Sequence, residues 1–220
     1  MKKALTIGEL LITMAIIGTI ATLVLPGFLK DYHKKLYVTR LKKTVEMLEN
    51  AVNQACIDNN VSYFYQTPYA KNDTATLEAF INKYFKTSNE DNNFPFAQKY
   101  KELKTGKEYK FNLSGNHAYK KLASGEAISF YCASNEPDHC VFRVDINSTD
   151  GPNIGGRDLF HLNVQRYTNK ITDYLDASYC GGYEKQEGEN EVIYQRKHII
   201  SRSGAGCYAR LLQDNWEMKY

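Results

Sequence analysis

Between Glu9 and Lys30 the chain carries no charged side chain for twenty residues. A helix needs roughly 20 apolar residues, at about 1.5 Å rise each, to cross the hydrocarbon of a bilayer. The uncharged character begins earlier, at Leu5, so Glu9 is a single carboxylate set into an apolar run behind Lys2 and Lys3. The two lysines predict a start on the cytoplasmic side. A charge at the bilayer centre costs about 2.5–3.5 kcal/mol, so Glu9 needs a physical reason. A secretory signal would explain the basic start and the apolar core. The run is longer than an ordinary signal core, however, and no A-x-A site with a polar segment behind it follows. A plain uncleaved anchor explains the length and leaves Glu9 unexplained.

The segment "KKALTIGELLITMAIIGTIATLVLPGF" resembles the prepilin-type N-terminus of type IV pilins and type II secretion pseudopilins. That pattern is a short basic leader ending in Gly or Ala, an apolar or aromatic residue, Thr, two residues, Glu, an apolar helix and a helix-kinking Pro. Here Ala4 ends the leader and Leu5 begins the mature chain. Thr6, Glu9 and Pro26 fall in register. Ala4 stands where Gly is commoner, and Leu5 where Phe is usual. The resemblance implies cleavage after Ala4 by a prepilin peptidase/N-methyltransferase. It also implies pairing of Glu9 with the N-terminal amine of a neighbouring pilin subunit, and a filament core made by residues 10–25. A buried carboxylate is tolerated when paired and costly when orphaned, which fits that role. The implied location is the bacterial inner membrane, single pass, with the C-terminal head outside the cytoplasm and later in a periplasmic or extracellular filament. The implied function is a pilin or minor pilin; the alternatives are a type II secretion pseudopilin and a membrane-tethered binding or adhesion head.

Domain organisation follows from patterning: leader 1–4, spanning or filament-core helix 5–29, amphipathic continuation 30–58, globular head 59–220. In the continuation Leu41, Val45, Leu48, Val52 and Ala55 recur at spacings of three and four, a core-facing stripe. Pro26 and Gly27 are expected to kink or locally melt the helix. In the head, "TLEAFINKYF" reads as a short helix capped by Thr74 or Thr76. "EAISFYC", "CVFRVDI" and "LFHLNVQ" read as strands, the last with Phe160, Leu162 and Val164 on one face. "CYARLL" and "WEMKY" read as closing strands. The fold expected is α+β and pilin-like, a long helix laid on an antiparallel sheet.

The stretch "DINSTDGPNIGGRD" gathers oxygen donors: Asp145, Asn147, Asp150, Asn153 and Asp158. Calcium takes six to eight oxygens from such loops, but the EF-hand spacing fails. The competing reading, which is favoured, is a turn in which Asp and Asn bond their own backbone. The stretch also resembles an element common in prepilin-type proteins, with Gly usual where Ser148 stands. Structural calcium is thus an expectation secondary to the turn, and no cofactor is required.

Five cysteines are present. Export makes disulfides the default. Cys132 with Cys140 and Cys180 with Cys207 are candidate pairs, the second strengthened by the C-terminal disulfide loop frequent in pilins; connectivity stays open at this level. Cys56, on the helix stripe, reads as a buried free thiol. His33, His117, His139, His161 and His198 lack metalloprotease spacing. "TGKE" is not a P-loop, and "SGAG" is not a nucleophile elbow. No catalytic signature remains, and a non-enzymatic role is expected. The net charge of +3 falls to +1 without Lys2 and Lys3, 26 basic against 25 acidic side chains, so no nucleic-acid partner is expected.

Overall fold

The computed structural model describes residues 6–88, 94–113, 115–133 and 140–220, with the side chain of Arg196 excepted. Ala4, Leu5 and His139 lie outside the described residues. Two compact units are present, one ending at Leu36 and the other spanning Tyr37–Tyr220.

Helix α1 runs Ile7–Asp58. It passes unbroken through Pro26 and Gly27, so the chain does not melt locally there. Pro26 donates no N–H, which leaves the Thr22 carbonyl without its usual helical partner. Up to Leu36 the apolar side chains stand exposed, Leu23 at 80% and Ile7 at 79%. From Tyr37 onward the stripe is buried: Val38, Leu41, Val45, Leu48, Val52 and Ala55 join the main core.

That core is built on a five-stranded, wholly antiparallel sheet in sequential order. Its main hairpins are β4 (Ala127–Cys132) with β5 (Cys140–Asp145), and β5 with β6 (Leu159–Val164). The edges are β3 (Ala118–Lys121) and β7 (Ile171–Asp173). Helix α2 (Thr74–Tyr84) is capped by Asp73, whose Oδ2 accepts from the Thr76 N–H at 2.9 Å. The sequence reading had offered Thr74 or Thr76; Asp73 sits one place earlier, the proper N-cap position. Phe80 of α2 meets Phe130 at 5.0 Å between ring centres, and Phe130 stacks on Phe142 at 4.5 Å. Phe160, Leu162 and Val164 line this same core, as their alternation predicted.

The other face of the sheet is covered as well. A hairpin of β1 (Lys99–Lys101) and β2 (Glu108–Lys110) places Tyr100, Tyr109 and Phe111 in a second cluster with Leu159 and Ala127. A sheet buried on both faces loses clean alternation of burial, which is why β6 is buried at nearly every position, His161 included.

Both edges are occupied. The Ile171 N–H donates to Glu49 of α1 at 3.0 Å. Residues 86–88 pair with the end of β3, with the Ser88 N–H donating to the Lys121 carbonyl at 2.9 Å. The chain closes with α3 (Glu191–Arg202) and α4 (Cys207–Gln213). "CYARLL" is therefore a helix and not a strand. Ala209, Arg210, Leu211 and Leu212 are strong helix formers, and Cys207, Tyr208 and Leu211 bury one face against β6 and β7.

Candidate functional site

At its N-terminal end α1 is closed by its own side chains. Glu9 Oε2 accepts from the Thr6 N–H at 2.9 Å and from the Thr6 hydroxyl at 2.8 Å, while Thr6 Oγ1 accepts from the Glu9 N–H at 3.3 Å. This is a capping box, in which Thr at the N-cap and Glu three residues on satisfy each other's backbone donors. The T-x-x-E spacing of Thr6 and Glu9 carries that signal, which the pairing implied by the resemblance does not use. The same helix is long and apolar enough to cross a membrane. Its exposed apolar surface includes Leu11, Met14, Ile17 and Phe28.

Residues 145–158 connect β5 to β6. The structure brings Asp145 and Asp158 together here, both fully buried. Asp145 accepts from the Asn147 N–H at 3.1 Å and from the Tyr100 hydroxyl. Asp158 accepts from the Asn153 and Ile154 N–H groups, each at 2.6 Å. The Asn147 side-chain amide donates to the Asp150 and Gly151 carbonyls at 2.7 and 2.9 Å. Asn153 Nδ2 reaches the Thr149 carbonyl at 3.5 Å, and Asp150 is exposed. Among the described residues no group of three or more His, Cys, Asp or Glu is placed to hold a metal ion. Of the five candidate ligands, four thus bond the loop itself, in the manner of Asx turns.

Ser148 takes φ +60°, a left-handed conformation that favours Gly. Gly155 faces the α3–α4 junction so closely that a Cβ there would collide with the Arg202 carbonyl oxygen. Gly204 stands likewise against the Leu159 carbonyl. "IGGRD" and "SGAG" therefore meet backbone to backbone.

Burial dominates the electrostatics. Desolvation, and next the charge of Asp158, pushes the Asp145 carboxyl up to about 8. Desolvation raises Asp158 to about 6. Asp173 is also raised to about 6 by burial, although it accepts from the Gly206 and Ala209 N–H groups at 2.6 and 3.0 Å.

Cys132 is bonded to Cys140 across the β4–β5 hairpin, and Cys180 to Cys207 at the start of α4; Cys56 is free and buried. Comparison with family models, curated proteins and solved structures finds no match to this chain.

Proposed function

We propose that this chain is a structural subunit of a type IV pilus-like filament. It is made as a prepilin and cleaved after Ala4 by a prepilin peptidase that also methylates Leu5. It sits in the bacterial inner membrane with its head outside the cytoplasm, and it assembles with like subunits through α1. The observation that carries this reading is the division of labour along one helix. Its first half is bare, apolar and marked by one carboxylate in the first turn; its second half is built into the core of an α+β head. In the lone chain the capping box satisfies that carboxylate. In a filament the amine of Leu5 on a neighbouring subunit replaces Thr6 as its partner, consistent with the rule that buried charges persist only when paired.

The test is the intact mass and N-terminal sequence of protein recovered from its native membrane or from sheared filaments. The expected chain starts at Leu5 and is heavier by one methyl group. A chain still starting at Met1, or starting beyond Pro26, overturns the reading.

A further inference from the structure

A cavity of about 220 Å³ opens between β2, β5 and the C-terminal end of α3. Tyr109, Lys110, Phe111, Arg143, Arg202 and Ser203 shape it, and no acidic side chain lines it. Two guanidinium groups there carry unmet donors. Arg143 Nε and Nη1 and Arg202 Nε are buried with no hydrogen-bond partner among the described residues. Their neighbours are rings: Arg143 lies 5.9 Å over Phe111 and 5.5 Å over Tyr131, and Arg202 lies 4.7 Å over Tyr109. Elsewhere Lys197, Arg210 and Lys83 each meet a carboxylate within 3 Å. Burial pulls the Arg143 guanidinium below its ordinary value, and the groups acting on it besides solvent are tyrosines.

The backbone acceptors at the end of α3 are already engaged. The Ile200 carbonyl accepts from the Ser203 N–H at 3.1 Å and from its hydroxyl at 2.7 Å. The Arg202 carbonyl accepts from the Tyr109 hydroxyl at 2.9 Å. Glu102 and Asp158 are felt at Tyr109, but neither lines the cavity. Glu102 accepts from the Thr105 hydroxyl at 2.6 Å, and Asp158 is held by the two backbone donors described above. The walls therefore gather three cationic side chains, Lys110, Arg143 and Arg202, around a half-open, partly aromatic space. Buried cations persist when matched by a counter-charge, and guanidinium forks match the oxygens of phosphate and sulfate.

We propose that this cavity is a binding site for a phosphate- or sulfate-type dianion, held by Arg143 and Arg202 with Lys110 at the rim. The test is titration calorimetry on the full chain in detergent micelles with inorganic phosphate, sulfate and acetate. Phosphate and sulfate are expected to bind saturably, in the millimolar range or tighter, with acetate at least about tenfold weaker. Arg143→Gln and Arg202→Gln are each expected to weaken phosphate by about tenfold, the loss of one charge-assisted contact. Lys110, exposed on β2, allows a variant that leaves folding intact, and Lys110→Gln should weaken binding several-fold. Glycerol phosphate separates the sources: equal binding assigns a phosphate ester, and exclusion assigns the free anion. Absence of saturable phosphate or sulfate binding, binding indifferent to all three substitutions, or acetate binding as tight as phosphate overturns the proposal.

Discussion

The Tyr100 hydroxyl donates to the Asp145 carboxyl, tying the β1–β2 hairpin to the end of β5 across the second core. Both partners are fully buried, and burial holds the Asp145 carboxyl as well as the phenol in its protonated, uncharged form at neutral pH.

Stability should therefore fall as pH rises. Asp145 at about 8, and Asp158 and Asp173 at about 6, lie above the ordinary unfolded carboxylate value of about 3.9. The folded state holds these protons more tightly than the unfolded state. Their stabilisation is complete below about pH 4 and is lost as pH climbs through 6 towards 8. Asp58, held down to about 2 by Lys83, works in the opposite direction, and only at pH below about 4. Thermal unfolding should show the chain more stable at pH 5 than at pH 8 by roughly 6 kcal/mol, at about 2–4 °C per kcal/mol for a chain of this size. Asp145→Asn should flatten the profile above pH 6; an unchanged slope would refute the assignment.

The glycine contact between residues 155–156 and 204 allows no side chain. Gly155→Ala would drive a methyl into the Arg202 carbonyl, and Gly204→Ala into that of Leu159 at φ +93°. Gly155→Ala should cost about 1–3 kcal/mol from overpacking, and Gly204→Ala about 2–4 kcal/mol, because a forced positive φ adds to it. Chemical denaturation midpoints of the two variants check this.

The two disulfides should differ in worth. Cys180–Cys207 spans 27 residues and Cys132–Cys140 spans 8. Loop-closure entropy then gives about 3.5 kcal/mol for the first and about 2.5 kcal/mol for the second. Paired Cys→Ser variants, melted side by side, should rank in that order.

Thr6 and Glu9 separate capping from assembly. Thr6→Ala removes the hydroxyl bonds but keeps the carboxylate, so filaments should still form. Glu9→Ala should leave membrane insertion intact and abolish incorporation. Yield of sheared filaments reads both, and wild-type yield from Glu9→Ala would refute the pairing role.

Calcium should leave the melting temperature unchanged. The Asp145 and Asp158 carboxylates already accept from Tyr100, Asn147, Asn153 and Ile154. A rise in melting temperature that chelator reverses would restore calcium to the 145–158 loop.

Local periodicity made the first core legible. Leu41 to Ala55 and Phe160 to Val164 declare their faces because each looks onto one apolar layer. The second core was hidden. Tyr100 and Tyr109 each sit between charged neighbours in strands of three residues, too short to establish a period. Helix α3 was missed because Val192, Ile193, Ile199 and Ile200 are β-branched and most stay at the surface. In the candidate site, Asp145 and Asp158 were legible as a loop. The approach of Gly155 to Arg202, and of Arg143 to the end of α3, joins residues about fifty positions apart or more, where no spacing rule reaches.

Both rims of the five-stranded sheet are spoken for, Ile171 by Glu49 and Lys121 by Ser88. Unpaired strand edges are a template for pairing with another chain. A strand added at either rim would have to displace one of these contacts, so the heads resist edge-to-edge pairing at the Ile171 and Lys121 ends.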